Sequence, residues 1–193
     1  MKTELLALVL LMVGFGGSPC NKEKEVKDKE TCTLITTGTQ TFMDKNLVVV
    51  TYRNGDVIPQ VTDQTAWASL TTGAWCHYNN DPANDTIYGK LYNWYAVNDP
   101  RGLAPQGWHI PTVAEWTCFS ISLGGQFVAG GKMKTTGTSR WNSPNTGATN
   151  ESRFAGLPGG YRCGKNSCGG FGMIGWSGYW WSTSEKGSDF ALR

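Results

Sequence analysis

Apolar residues in this chain come in short clusters that polar or glycine-rich stretches separate. In the clearest pattern, Trp108 and Ile110 alternate with a polar residue, which predicts a short buried strand. Pro111 ends that strand, because proline cannot donate to a strand ladder. Thr112 then precedes Glu115 by three residues, which is the spacing of a capping box. We therefore predict that a helix begins at this threonine.

The apolar residues after the capping box have roughly helical spacing as far as Leu123, and Gly124-Gly125 predicts the end of that helix. Two further segments predict helices. Thr62-Asp63 is a candidate N-cap for a short helix through Leu70. Aromatic and aliphatic residues also recur on one helical face, ending near Asn98, at Tyr88, Leu91, Tyr92 and Tyr95.

Short strands are predicted between the helices. Thr33 to Val50 predicts two or three strands, Asn54-Gly55 a turn, and the segments 154–162 and 171–181 short strands around glycine turns. The sequence has no repeat of solenoid period and no strict alternation of strand and helix. The predicted class is α+β, with two or three helices and much irregular loop.

The N-terminus has the proportions of a bacterial export signal. An apolar run from Leu5 to Val13 precedes Cys20, and eight of the next ten residues are charged. We expect residues 1–20 to be a lipoprotein-type signal peptide with Cys20 lipidated, 21–31 a disordered tether, and 32–193 one folded domain. This predicts an outer-membrane or cell-surface lipoprotein. Because Pro19 stands where a small residue is usual, the alternative is a secreted or periplasmic protein.

Composition excludes some partners. The net charge of +2 is too small to indicate nucleic acid as a partner. The body is poor in charge and rich in glycine, tryptophan, threonine and asparagine, which favours a loop-rich domain with aromatic rings in its core.

Several segments together resemble one family, the Fibrobacter succinogenes major paralogous domain. The matching segments are 79–81, 88–97, 107–112 with Glu115-Trp116, 130–134, 141–150, 157–162 and 178–182. The resemblance implies an exported domain with a C-type-lectin-like fold of the formylglycine-generating-enzyme branch, and it implies no established reaction. Family members usually continue into further strands and carry a cysteine where Ala104 stands here, so a C-terminally shortened domain with an open sheet edge is expected.

Six cysteines raise the question of disulfides. Cys163 and Cys168 bracket four residues, and a hairpin would bring them within bonding range. We favour that bridge over two free thiols, and both over a metal site, because no further ligands have suitable spacing. Cys118 is predicted to be a small buried apolar residue, and pairing of Cys32 with Cys76 is left open.

A catalytic role is not predicted. The sequence contains no H-E-x-x-H motif, no G-x-S-x-G motif and no tight carboxylate pair, and Glu115 is explained as a helix cap. Formylglycine-generating enzymes use two late cysteines, but the spacing and surroundings of Cys163 and Cys168 differ from that arrangement.

The nine tryptophans are the feature that itself suggests a function. Sugar-binding surfaces combine aromatic rings with amide and carboxylate groups, and such residues share the polar loops of this chain. The candidate ligand-binding residues are Trp75, Tyr78, Asn80, Asp81, Trp141, Asn142 and Asn145. Trp108, Trp116, Trp180 and Trp181 are predicted to be core. Calcium at Asp81, Asp85 or Asp99 lacks a supporting ligand pattern, so no cofactor is predicted.

These observations predict a non-catalytic domain that binds a glycan or a cell-surface protein and reaches the membrane through its lipid anchor. The first alternative is a structural or protein-interaction lipoprotein that pairs through its open edge. An enzyme of the formylglycine-generating type is the second.

Overall fold

The computed structural model describes residues 42–43, 45–164 and 170–184, together with the backbone of short strands at 5–6, 12–13, 41–42, 185–186 and 190–191. The predicted mixed class with short strands and much loop is confirmed. The described helices are α1 (Gln64–Ala68), α2 (Asp85–Tyr88), α3 (Trp94–Val97), α4 (Val113–Ser122) and α5 (Gln126–Met133). Two 3₁₀ turns, Tyr78–Asn80 and Pro82–Asn84, precede α2.

The strands are short and antiparallel. They are β1 (Leu5–Leu6), β2 (Met12–Val13), β3 (Thr41–Phe42), β4 (Trp75–Cys76), β5 (Leu91–Tyr92), β6 (Gly159–Cys163), β7 (Phe171–Ile174), β8 (Glu185–Lys186) and β9 (Phe190–Ala191). One sheet has the order β1-β6-β7, and the other strands pair as β2-β3, β4-β5 and β8-β9. In the β4–β5 pair, Trp75 lies opposite Tyr92 and Cys76 opposite Leu91.

The capping box at α4 is confirmed. The Thr112 hydroxyl accepts the Glu115 N–H at 3.2 Å, and a carboxylate oxygen of Glu115 accepts the Thr112 N–H at 2.7 Å. The other carboxylate oxygen lies 2.8 Å from Nε2 of His109. The Trp116 indole donates to the Trp181 carbonyl at 3.0 Å, which ties α4 to the C-terminal part of the fold. The capping pair thus has the structural role that the sequence predicts.

The helix predicted from Tyr88 through Tyr95 is wrong. The segment instead contains the end of α2, strand β5 and the start of α3. Gly89 interrupts it at φ +74°, and a Cβ there would lie 2.7 Å from Cβ of Asn46. Leu91 and Tyr92 are both buried, although strand neighbours point to opposite faces. Because both faces of this segment are buried, apolar residues need not alternate with polar ones. Their spacing therefore resembles that of a helix.

The described residues also form five α-helices where two or three are predicted, and three of these are only four or five residues long. Helix α5 lies in a stretch for which the sequence predicts no helix. Gly130 and Gly131 lower the helix propensity of this stretch. A Cβ on Gly131 would lie 2.4 Å from the Gly147 carbonyl oxygen, so close packing requires the glycine there. Tertiary contact thus overrides local propensity.

Two apolar clusters form the core. The larger contains most of the buried aromatic residues, among them Tyr52, Trp67, Tyr92, Trp94 and Trp181. The smaller joins α4 to α5 through Phe119, Leu123, Ala129 and Phe154. Buried tryptophans find backbone acceptors; the Trp181 indole, for example, donates to the Tyr92 carbonyl at 3.0 Å.

Arg162 is a fully buried charged residue in β6. Its guanidinium donates to the carbonyls of Val61 and Thr62 at 2.6 and 2.7 Å and to Oε1 of Gln64 at 3.1 Å. It also lies 4.3 Å from the ring centroid of Trp67. The planar fork of arginine thus fastens β6 to the segment that leads into α1.

Candidate functional site

The first pair of predicted ligand-binding residues, Trp75 and Tyr78, lies in the core. Both side chains are buried. The Trp75 indole donates to the Ile58 carbonyl at 2.8 Å, and the Tyr78 ring packs on Phe171 with 5.3 Å between centroids. Burial of both rings favours a role in packing, because a sugar can stack only on a ring face that is open.

Asn80 and Asp81 are exposed, but they stabilise their own loop. The Asn80 amide donates to the Thr62 carbonyl at 3.1 Å, and Oδ1 of Asp81 accepts the Ala83 N–H at 2.9 Å. Asn79 and Asn80 both have left-handed backbone conformations, with φ of 54° and 58°. Asparagine tolerates this conformation better than most residues, which accounts for both asparagines without a ligand.

The second group of predicted residues, Trp141, Asn142 and Asn145, does not form one surface in the folded protein. Trp141 is buried, and its indole donates to Oγ1 of Thr135 and to the Gly156 carbonyl at 3.0 and 3.2 Å. The Asn145 amide donates to the carbonyls of Thr135 and Gly137, each at 2.9 Å, which organises the loop. Neither side chain offers a ligand an open ring or an open amide donor.

Asn142 differs from its neighbours because it lies on the surface. Its backbone N–H donates to the Gly175 carbonyl at 2.8 Å, which attaches the loop to the turn after β7. Its side-chain amide rests against the same glycine, where a Cβ would lie 2.8 Å from Nδ2 of Asn142. Gly175 has φ +79°, so a side chain is disfavoured there on two grounds. The amide therefore lies beside residues 173–177, here called the Trp176 turn.

The Trp176 turn presents the one exposed tryptophan of the nine, all of which lie in the described part of the chain. The Trp176 side chain is 56% exposed. The Met173 carbonyl accepts the N–H groups of both Trp176 and Ser177 at 3.0 Å, so the turn is closed by two hydrogen bonds. Met173 itself has φ +63°, a strained conformation for a residue that is not glycine.

Trp176 is not among the binding residues predicted from the sequence, although its sequence surroundings carry a signal. Gly175 precedes it, and Ser177 and Gly178 follow it, so its sequence neighbours provide little apolar surface against which the ring could pack. The structure therefore supports one ring and one amide, from Trp176 and Asn142, as a candidate ligand surface. Rings and amides of this kind bind ligands and carry no reaction by themselves.

A second polar cluster is buried. His77, Asp85 and Lys90 form it, with side-chain exposures of 11%, 16% and 8%. Nδ1 of His77 lies 2.6 Å from Oδ1 of Asp85, and Nζ of Lys90 is in direct contact with Oδ2. The Lys90 ammonium also lies over the Trp75 ring, 4.3 Å from its centroid. Nothing in the sequence indicated that these three residues meet.

The aspartates considered for calcium each have a different partner. Asp81 caps its own turn, Asp85 belongs to the buried cluster, and Asp99 accepts hydrogen bonds from Arg101. The Arg101 guanidinium lowers the pKa of Asp99 to about 2. Within the described residues, no group of three His, Cys, Asp or Glu is placed to hold a metal ion.

The cysteines differ in part from the predictions. Cys163 is disulfide-bonded, while its proposed partner Cys168 lies outside the described residues, so this pairing stays a prediction. The apolar role predicted for Cys118 is wrong, because this half-buried residue is also disulfide-bonded. Cys76 is a free buried thiol, which excludes the pairing with Cys32 that the sequence left open. Burial raises the pKa of Cys76 to about 11. Cys20 lies outside the described residues.

Membrane-spanning helices are not found among the described residues, since none of those helices is both long and apolar enough.

Comparison with known proteins gives one result. The family model described as the Fibrobacter succinogenes major domain matches residues 35–192, which is most of the chain. No curated protein and no solved structure matches this chain. The match covers the capping box, the buried polar cluster and the Trp176 turn alike.

Proposed function

This chain belongs to the Fibrobacter succinogenes major domain family, and we propose that it is a non-catalytic domain that binds a glycan or another surface partner. The observation that carries the proposal is the Trp176 turn. It holds an exposed indole in a closed, strained turn beside the amide of Asn142. A turn whose backbone is fixed in advance loses little backbone freedom on binding, which favours affinity.

The chemistry of this surface fits a sugar. The face of an indole ring packs against the C–H groups of a pyranose, and an amide both donates to and accepts from hydroxyls. The proposal transfers the binding role from Trp75 and Trp141, whose rings are buried, to Trp176. Asn142 remains a binding residue from the set that the sequence predicted.

A polysaccharide and glycan array probed with the full chain tests the proposal. We expect Trp176→Ala to weaken binding to any glycan hit about tenfold or more, which corresponds to about 1.4 kcal/mol. The matched control is Phe127→Ala, which removes another exposed aromatic ring, 94% exposed on α5. An array hit that survives Trp176→Ala but is lost in Phe127→Ala would contradict the assignment of the site.

One observation supports the alternative of a protein partner. Ile121, Phe127 and Val128 are exposed apolar residues at the corner where α4 meets α5. A partner at this corner predicts concentration-dependent association that Phe127→Ala abolishes and Trp176→Ala does not. The two variants therefore separate the two functions.

The left-handed Met173 interrupts β7, which makes this strand a less suitable edge for pairing than the sequence suggests.

Export and lipid attachment form part of the proposal. They rest on the leader-like pattern before Cys20 and the charged segment after it. Radiolabelled palmitate supplied to expressing cells should enter the wild-type protein and be absent from Cys20→Ser. Equal labelling of both proteins would overturn lipidation at Cys20.

A further inference from the structure

The buried polar cluster of His77, Asp85 and Lys90 goes unused in the proposed function. Three neighbouring elements bring the three side chains together. His77 follows β4, Asp85 begins α2, and Lys90 precedes β5. Because β4 and β5 pair with Trp75 opposite Tyr92 and Cys76 opposite Leu91, the same register places His77 opposite Lys90.

The backbone of Lys90 and of the residue before it is held in place. The Lys90 N–H donates to the Leu47 carbonyl at 3.0 Å, and the Gly89 N–H donates to the Asp85 carbonyl at 3.0 Å. The contact between Nζ of Lys90 and the Asp85 carboxylate therefore starts from a fixed backbone, and it joins two side chains that are only 8% and 16% exposed. Such fixed geometry is what a reaction between two side chains requires.

The surroundings of the contact are largely apolar. The Trp75 ring covers the Lys90 ammonium at 4.3 Å and meets the His77 ring edge-on with 5.1 Å between centroids. Tyr92, two residues after Lys90 and on the same face of the strand pair, is also buried. These neighbours limit the access of water to the contact, which disfavours hydrolysis of a bond formed there.

We propose that Lys90 and Asp85 form an intramolecular isopeptide bond, with His77 as the proton carrier. The three groups needed are a lysine amine, a carboxyl group in contact with it and a third group bonded to the carboxyl. The structure holds all three within one buried cluster.

The reaction balances without any further reagent. Proton transfer within the ion pair gives an amine and a carboxylic acid, and the Lys90 nitrogen attacks Cγ of Asp85. The bond from Nζ to Cγ forms and the bond from Cγ to Oδ1 breaks. His77, 2.6 Å from Oδ1, relays a proton from the attacking nitrogen to Oδ1. The proton that Oδ2 took from the ion pair then moves to Oδ1 as well, so Oδ1 leaves as water and Oδ2 becomes the amide oxygen. One ammonium and one carboxylate become one amide and one water.

Mass spectrometry of the purified full chain, reduced and denatured, tests this directly. The expected intact mass is lower than the sequence mass of the fully reduced chain, after any processing of the N-terminus, by one water. Trypsin should fail to cut after Lys90, because its side chain is no longer a free amine. Fragmentation should place the lost water in a ring that joins residues 85 and 90. A chain at full mass, with normal cleavage after Lys90, would overturn the proposal and leave an ordinary buried ion pair.

Variants assign the roles. Lys90→Met and Asp85→Ala should each restore full mass, and His77→Gln should slow the appearance of the lower mass in freshly made protein. The matched control is Lys132→Met, which removes the lysine of an exposed ion pair with Glu151. It should retain the bond. Water loss that persists in Asp85→Ala would show dehydration at another residue and contradict the assignment. Because the wild-type measurement is made on denatured protein, it stands even if a variant fails to fold.

Discussion

At the scale of single residues, burial determines what each chemical group can do. Cys76 and Asp99 show opposite cases. Desolvation raises the pKa of the Cys76 thiol to about 11, while hydrogen bonds from Arg101 lower the pKa of the Asp99 carboxyl to about 2. Both differ from their ordinary values by enough to make the stability of the fold depend on pH.

For Cys76 we expect an unreactive thiol in the folded protein. Its pKa rises from 9.0 to about 11 on folding, so the folded state holds the proton more tightly. The stability that this provides is present below pH 9 and is lost as the pH rises toward 11. Iodoacetamide labelling at neutral pH, read by peptide mapping, should modify Cys76 only after denaturant is added. Rapid labelling of the native protein would contradict this.

For Asp99 the sign is reversed. Its pKa falls from 3.8 to about 2 in the folded protein, so its contribution to stability is present above pH 3.8 and is lost as the pH falls toward 2. Melting temperatures measured from pH 5 to pH 2 should therefore drop more steeply for wild type than for Asp99→Asn. Parallel curves would show that the Asp99–Arg101 pair contributes nothing to the stability of the fold, which is the case for many exposed ion pairs.

At the scale of elements, local sequence signals succeed where a helix end satisfies its own backbone groups. The Thr112–Glu115 capping box is the example, since both of its hydrogen bonds lie within four residues. The Asp63 cap of α1 is similar, because Oδ1 accepts the Ala66 N–H at 2.7 Å. Strand β5 and helix α5 depend on contacts with other segments, and neither has a local sequence signal of this kind.

The capping box makes a quantitative prediction. Thr112→Ala removes the acceptor for the Glu115 N–H and should lower the free energy of unfolding by about 1 kcal/mol. Thr112→Ser keeps the hydroxyl and should cost much less. Urea denaturation followed by tryptophan fluorescence measures both. Equal losses in the two variants would indicate that the threonine methyl group matters and the cap does not.

At the scale of the whole molecule, the tryptophans divide into those that hold the fold together and one that faces solvent. Trp75 and Trp141 are buried and hydrogen-bonded through their indole N–H groups, whereas Trp176 is exposed. This division predicts that replacing a tryptophan by alanine changes the stability of the fold greatly at the buried positions and little at the exposed one.

Trp75→Ala and Trp141→Ala should each lower the free energy of unfolding by about 3 kcal/mol or more, since a large buried ring is lost. Trp176→Ala should change it by less than about 0.5 kcal/mol. Thermal melts of the three variants beside wild type decide this. A strongly destabilised Trp176→Ala would show that the ring supports the turn, and its loss of ligand binding would then have a structural cause.

Much of the fold and little of the candidate site could be predicted from the sequence. The family, the mixed class and the α4 cap depend on local patterns, because their determinants are neighbours in the chain. Of the predicted binding residues, the structure leaves Asn142 beside an exposed ring and places Trp75, Tyr78 and Trp141 in the core. Tryptophans in a loop-rich chain look alike in sequence, and their exposure depends on segments far away.

The sequence by itself determined where α1 and α4 begin and that a turn forms at Asn54-Gly55, because these caps and this turn are satisfied within a few residues. The tertiary structure decided which ring faces solvent and which charges meet in the interior. The Trp176 ring is exposed because the segments that cover the other tryptophans leave it in solvent, and Lys90 meets His77 and Asp85 because β4 pairs with β5. Both outcomes depend on which parts of the chain fold against each other. Contacts of this kind leave no local pattern in the sequence.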